Sequence, residues 1–173
     1  THIMKKRTIE LVKKTSEFIP QDKEVLKELS ENDAKESNLA VYMKKFAGYP
    51  IYKNTYAEYY PLGDDMYEVM KAELLKAEEF IFMEFFIVER GEMWDSVLEI
   101  LEQKVKEGVD VRFMYDGMCC LMLLPYKYPK TLEEKGIKCK MFSPIKPVLS
   151  TVQNNRDHRK ILVVDGRTAF TGG

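Results

Sequence analysis

The sequence predicts an α/β fold, a mixed sheet flanked by helices with an N-terminal helical arm ahead of it. Three observations carry that prediction. Two apolar runs rich in aromatic and β-branched residues, Phe80–Val88 and Val109–Tyr115, enclose the amphipathic pattern Met93–Glu107. Strand, helix and strand in that order form a right-handed parallel crossover. A third run, Ile161–Val164, ends in Asp165-Gly166, a strong hairpin-turn pair, and Arg167–Phe170 can return as the next strand.

The elements follow in order. Glu10–Phe18 and Lys23–Leu29 can be helical, with Pro20-Gln21-Asp22 as a break and a new start. Ser37–Phe46 places Leu39, Tyr42, Met43 and Phe46 at helical spacing, and Gly48-Tyr49-Pro50 ends it. Ile51–Pro61 carries Tyr52, Tyr56, Tyr59 and Tyr60, which suits an extended segment with half-buried rings. A helix is expected over Met66–Glu79, capped by Asp64 or Asp65. Phe80–Val88 is then a buried strand with Glu84 in its middle, and a charge there must be paired or lie at the active site. Gly108 stops the helix Met93–Glu107, and the strand Val109–Tyr115 leads to Asp116-Gly117. Asp116 falls at the carboxyl end of a parallel strand, where sites gather in open α/β sheets. Met118–Tyr128, Met-Cys-Cys-Leu-Met-Leu-Leu-Pro-Tyr-Lys-Tyr, reads as a core helix or loop, with an acyl-chain or membrane-facing wall as the functional alternative. A short helix over Thr131–Lys135, stopped by Gly136, a strand over Ile137–Phe142 and a loop over 143–150 complete the chain up to the last strands.

At 173 residues the chain suits one domain, able to bury roughly 70% of its unfolded surface. We expect residues 1–60 to form the helical arm or linker and 61–173 the catalytic unit. The arm offers no chemistry, and Thr1-His2-Ile3 ahead of Met4 is read as vector-derived, so His2 receives no role. Basic and acidic residues number 27 and 28, for a net charge of −1, so nucleic acid is not expected as a partner. The three cysteines, Cys119, Cys120 and Cys139, have no metal-ligand spacing and read as reduced thiols. No cofactor and no metal are expected. No segment reaches the ~18 apolar residues that a membrane span needs, and no signal peptide is seen.

The chemistry gathers in Asn154-Asn155-Arg156-Asp157-His158-Arg159-Lys160-Ile161-Leu162-Val163-Val164-Asp165-Gly166. Side chains alternate along a strand, so His158 and Lys160 share a face and can meet one ligand. By the same parity Asp165 falls on the other face or in the turn, where it supports the loop. A neutral imidazole can attack phosphorus, and a neighbouring ammonium can hold the non-bridging oxygens as charge builds. Set against this is the reading of a strand end whose polar residues are merely solvated.

These residues carry a resemblance. His158, Lys160 and Asp165 match the H-x-K-x-x-x-x-D motif of the phospholipase D superfamily, and Gly172-Gly173 match the glycine pair that follows it. The wording from Asn155 to Ile161, then Asp165-Gly166 and Ala169–Gly173, most resembles the first motif of bacterial cardiolipin synthases. Phe80–Ile87 and Gly108–Asp116 resemble that family's first two strands, so the resemblance covers about residues 60–173. Two features depart from the family. It pairs two such motifs where this sequence has one, and it continues to an asparagine and a histidine-orienting carboxylate. Met118–Tyr128 also replaces a more usual glycine-serine turn. The sequence therefore reads as the first half of a catalytic region.

The resemblance implies phosphatidyl transfer in phospholipid synthesis through a phosphohistidine, with His158 as nucleophile or as general acid/base. It implies that Lys160 binds phosphate, that Asp165 supports the site, and that Glu84, Asp116 and Arg156 are substrate-binding candidates. The implied substrate is phosphatidylglycerol or another phospholipid, with the second motif supplied by a missing half or a second chain. The implied location of the parent protein is the bacterial cell membrane, with a cytoplasmic catalytic region, and this piece would be soluble. The alternatives are a single-motif phosphodiesterase or nuclease acting as a homodimer, or a fragment inactive alone.

Overall fold

The computed structural model describes residues 2–144 and 156–172. The loop expected over 143–150 is therefore seen only to Pro144, and Asn154, Asn155 and Gly173 lie outside the described residues. The chain divides into two compact units, Thr1–Tyr59 and Tyr60–Gly173.

The first unit holds three helices, α1 (His2–Ser16), α2 (Lys23–Asn32) and α3 (Ala34–Ala47). Asp22 starts α2 because its Oδ1 accepts from the Glu24 and Val25 N–H groups at 2.8 and 3.2 Å. Asp33 does the same for α3 through Lys35 and Glu36, and its own N–H closes α2 on Leu29 O. Gly48 ends α3 at φ 81°, a left-handed conformation that glycine takes at little cost. The tyrosine-rich segment forms no strand. Its rings at Tyr52, Tyr56 and Tyr59 are exposed rather than half-buried, since an isolated extended segment has no sheet to lay them on.

The second unit runs α4 (Gly63–Leu75), β1 (Phe80–Phe85), α5 (Glu92–Lys106), β2 (Asp110–Asp116), α6 (Tyr128–Glu134), β3 (Lys138–Phe142), β4 (Lys160–Val164) and β5 (Thr168–Thr171). The sheet order is β3-β2-β1-β4-β5. β1, β2 and β3 pair in parallel, while β4 and β5 are antiparallel, so the sheet is mixed as the sequence predicts.

Strand parity sets the two faces. Ile81, Met83, Val111, Phe113, Tyr115, Cys139, Leu162 and Val164 point to one side and are buried in a core shared with Leu74, Val97, Leu101 and Leu132. Trp94 of α5 ties this core to α6 by donating to the Tyr128 hydroxyl at 2.6 Å. The other side carries Phe82, Glu84, Arg112, Met114, Ile161 and Val163, which line one groove.

Three expectations are corrected. Asp64 and Asp65 do not cap α4; the helix begins at Gly63, so they sit in its first turn, where acids favour the helix dipole. α4 stops at Leu75 and not Glu79, because the N–H groups of Glu78, Glu79 and Phe80 donate to Asp165 instead. β1 stops at Phe85 because the chain leaves the sheet there, and Val88 N–H donates to Cys120 Sγ at 3.3 Å. Of the core helix or loop expected over Met118–Tyr128, the structure forms the loop, a succession of turns up to Lys127, with Tyr128 starting α6. Cys120, Leu124 and Tyr128 anchor it in the core, while Leu121, Met122 and Tyr126 stand exposed.

Candidate active site

The approach to β4 is held from β2. Asp116, at the carboxyl end of that strand, is fully buried. Its Oδ1 accepts from the Met118 and Cys119 N–H groups at 3.0 Å and from Arg156 Nη1 at 3.1 Å, and its Oδ2 accepts from Asp157 N–H at 3.0 Å. Burial pushes this carboxyl up, but four donors outweigh it and hold the group below the usual carboxylate range. The expectation that Asp116 binds substrate does not fit this placement, because both oxygens are spent within the protein. Arg156 is half-buried against the same carboxylate.

Two residues further on, the chain exposes His158. Lys160, the first residue of β4, turns back over it. Its Nζ lies 3.1 Å from Nδ1 and 3.3 Å from Nε2 of the ring, and donates to His158 O at 2.9 Å. Lysine carries only donors, so a ring nitrogen bonded to it must be the acceptor. Phe86, just past β1, packs on the imidazole at 4.6 Å between centroids and lies 5.1 Å from Lys160 Nζ. The structure therefore brings His158 and Lys160 together at the sheet end where the parallel strands terminate.

Asp165 does not join them. It sits in the β4–β5 turn with φ 50°, followed by Gly166 at 66°, the pair of positive values that a tight hairpin needs. β4 and its flanks separate it from the histidine by roughly 20 Å of extended chain. Its carboxylate accepts from the N–H groups of Glu78, Glu79 and Phe80 at 2.8, 2.9 and 2.7 Å. Burial opposes ionisation, but these three bonds and Arg167 hold the carboxyl below its ordinary value.

Glu84 lies on the other face of the sheet, opposite Ile161, while Lys160 is opposite Phe85. Arg159 shares that face. Its Nη2 forms an ion pair with Glu84 Oε1 at 2.7 Å, and its Nε donates to Asp157 Oδ1 at 2.9 Å. Glu84 is thus paired, as a mid-strand charge must be, but it does not reach the His158 side.

No family model matches the chain. An uncharacterized protein of Streptococcus mutans is 52% identical over 167 residues, which cover 94% of this chain and 36% of that one. A cardiolipin synthase of Halalkalibacterium halodurans is 36% identical over 130 residues, 75% of this chain and 26% of its own length. Another, of Alkalihalophilus pseudofirmus, is 39% identical over 112 residues, 64% and 22% of the two chains. The chain is a phospholipase D superfamily, cardiolipin-synthase-like unit. It spans between 22% and 36% of the length of these curated relatives. Among solved structures, a phospholipase D family member from Salmonella typhimurium aligns at a TM-score of 0.36 and 19% identity, covering 57% of this chain and 56% of that one.

In this cardiolipin-synthase-like unit, sequence reasoning passed over Asp157 and Arg159. The signal was present. Arg159 has the parity of Ile161, and a buried acid in the neighbouring strand called for a basic partner on that face.

Proposed function

We propose that this chain supplies the first-motif side of a phosphatidyl-transfer site of the kind that makes cardiolipin. The observation that carries the reading is the contact of Lys160 Nζ with an exposed His158 ring at the carboxyl end of the parallel strands. The likeness to cardiolipin synthases supports the substrate class, phosphatidylglycerol or a related phospholipid.

The chemistry needs two imidazoles. A ring nitrogen of one attacks the phosphodiester phosphorus, and the bond from phosphorus to the departing glycerol oxygen breaks. The second imidazole donates a proton to that oxygen. It then takes the proton of an acceptor hydroxyl, whose oxygen attacks phosphorus and breaks the phosphorus–nitrogen bond. His158 is one of these two histidines. Lys160 neutralises the non-bridging oxygens as charge builds on them. The second histidine comes from a second motif, in the remainder of a longer protein or in a second copy. Asp165 keeps β4 in place, and Asp116 fixes the residues that lead to His158. The membrane enters through the lipid substrate; among the described residues no helix is long and apolar enough to cross one.

The test is an acid-stable and acid-labile phosphate assay on the protein that joins this chain to a second motif. Quenched turnover of phosphatidylglycerol should leave acid-labile, alkali-stable phosphate on histidine, and His158→Ala should abolish turnover. Wild-type-like turnover in that variant would overturn the reading.

A further inference from the structure

We propose that Glu84, Arg159 and Asp157 form a clamp that fixes the backbone on both sides of His158 and so positions its imidazole. This rests on the phosphatidyl-transfer reading of His158. The two residues flanking the histidine are each anchored. Asp157 is held by its N–H on Asp116 Oδ2 at 3.0 Å and by its carboxylate on Arg159 Nε at 2.9 Å. Arg159 is held in turn on Glu84 of β1 at 2.7 Å. Glu84 pairs with Ile161 and so faces away from Lys160. It cannot touch a ligand held between His158 and Lys160, and acts through Arg159. It is a positioning residue.

The clamp also holds an unresolved need. Among the described residues, the buried side-chain atoms with no hydrogen bond are Glu84 Oε1, which has the Arg159 ion pair alone, and Asp157 Oδ2. Such atoms are rare in native proteins and call for an explanation. One proton shared between the two carboxyl groups supplies it, because a protonated carboxyl donates where an ionised one only accepts. Burial, and then the neighbouring Asp157 carboxyl, push Glu84 up to about 7 against the opposing Arg159. Asp157 is burdened by burial, yet Glu84 and Arg159 hold it below the usual range. The pair therefore carries one proton below neutrality and releases it near pH 7. Other charges on this face are Arg112 of β2, and Glu133, Lys138 and Lys140 from α6 and β3. Arg112 and Lys138 are both taken by Asp110. Release of the proton leaves two carboxylates competing for one guanidinium, which shifts the segment that carries His158.

Two measurements test this. In the protein joining this chain to a second motif, kcat and KM are followed from about pH 5.5 to about pH 8.5. Wild type should show an inflection in kcat near 7 that Glu84→Gln removes, with KM changed less than about twofold. Glu84→Ala should lower kcat by about 10- to 100-fold, the cost usual for a lost orienting partner. An unchanged inflection in Glu84→Gln would overturn the proposal. The second measurement uses this chain alone and needs no activity: the Arg159 Nε–H signal by nuclear magnetic resonance. It should exchange slowly, shift near pH 7 in wild type but not in Glu84→Gln, and vanish into solvent exchange in Asp157→Ala. A fast-exchanging or pH-independent signal in wild type would overturn the clamp. A clamp seen here in a protein without phosphatidyl transfer would overturn the functional reading and leave the clamp standing.

Discussion

In the proposed site His158 is the nucleophile or proton carrier and Lys160 the fixed cation. His158→Ala removes a bond-making group, so turnover should fall to background. Lys160→Ala removes a preorganised donor to developing charge, and a loss of about three orders of magnitude in kcat is expected, with little change in KM. Lys160→Arg should not rescue it, since a planar fork cannot take the place of a point charge packed between an imidazole and Phe86. Steady-state assays on phosphatidylglycerol vesicles check all three. Glu84 gives a prediction in stability. Its folded value, about 7, lies above the ordinary one, so its contribution is present below the unfolded value and lost as pH rises through 7. Wild type should lose stability between about pH 5 and about pH 7.5 relative to Glu84→Gln, which has no such proton to release. Urea unfolding of both proteins across that range decides it, and parallel curves would remove the argument.

At the scale of the element, β4 is held at both ends by carboxylates reaching other strands. Asp116 of β2 fixes the residues before it, and Asp165 after it takes three N–H groups from the α4–β1 connection. Hydrogen bonds to charged groups contribute about 1.5–3 kcal/mol each and are not additive. Asp165→Ala, which also places a Cβ-bearing residue of poor left-handed tolerance at φ 50°, should cost about 3 kcal/mol in urea unfolding at neutral pH. The folded carboxyl lies below its ordinary value, so its stabilisation is present above the unfolded value and lost as pH falls through the folded one. The gap between wild type and Asp165→Asn should therefore close in acid. These elements were legible to different degrees. The strands were readable as apolar runs with parity, and the Asp165-Gly166 turn by its residue pair. The end of α4 was not, because Asp165 takes the Glu78 N–H from 87 residues away. Local propensity favoured more helix, and a tertiary bond won. The pairing of His158 with Lys160 was legible from a two-residue spacing. The burial of Asp116 was not, since a carboxylate at a strand end looks the same in sequence whether it meets substrate or backbone.

At the scale of the whole molecule, the decisive quantity is the number of histidines at the site. The sequence holds two, His2 and His158, and one H-x-K-x-x-x-x-D motif. Transfer through a phosphohistidine needs a separate acid for the departing oxygen and a base for the incoming hydroxyl. No other imidazole in this chain belongs to the motif, and the ammonium of Lys160 is engaged with the ring and with His158 O. The chain as a monomer should therefore form no cardiolipin from phosphatidylglycerol, however well its sheet is formed. Two routes can restore the missing group: a second motif on a longer chain, or a second copy that places its own His158 across a shared site. The routes are separable. Light scattering gives the mass of the chain at the assay concentration, and the same sample is tested for turnover. Mixing wild type with His158→Ala should lower specific activity more steeply than dilution only if copies share a site. A monomer with clear turnover would show that a group other than a second imidazole protonates the departing alcohol.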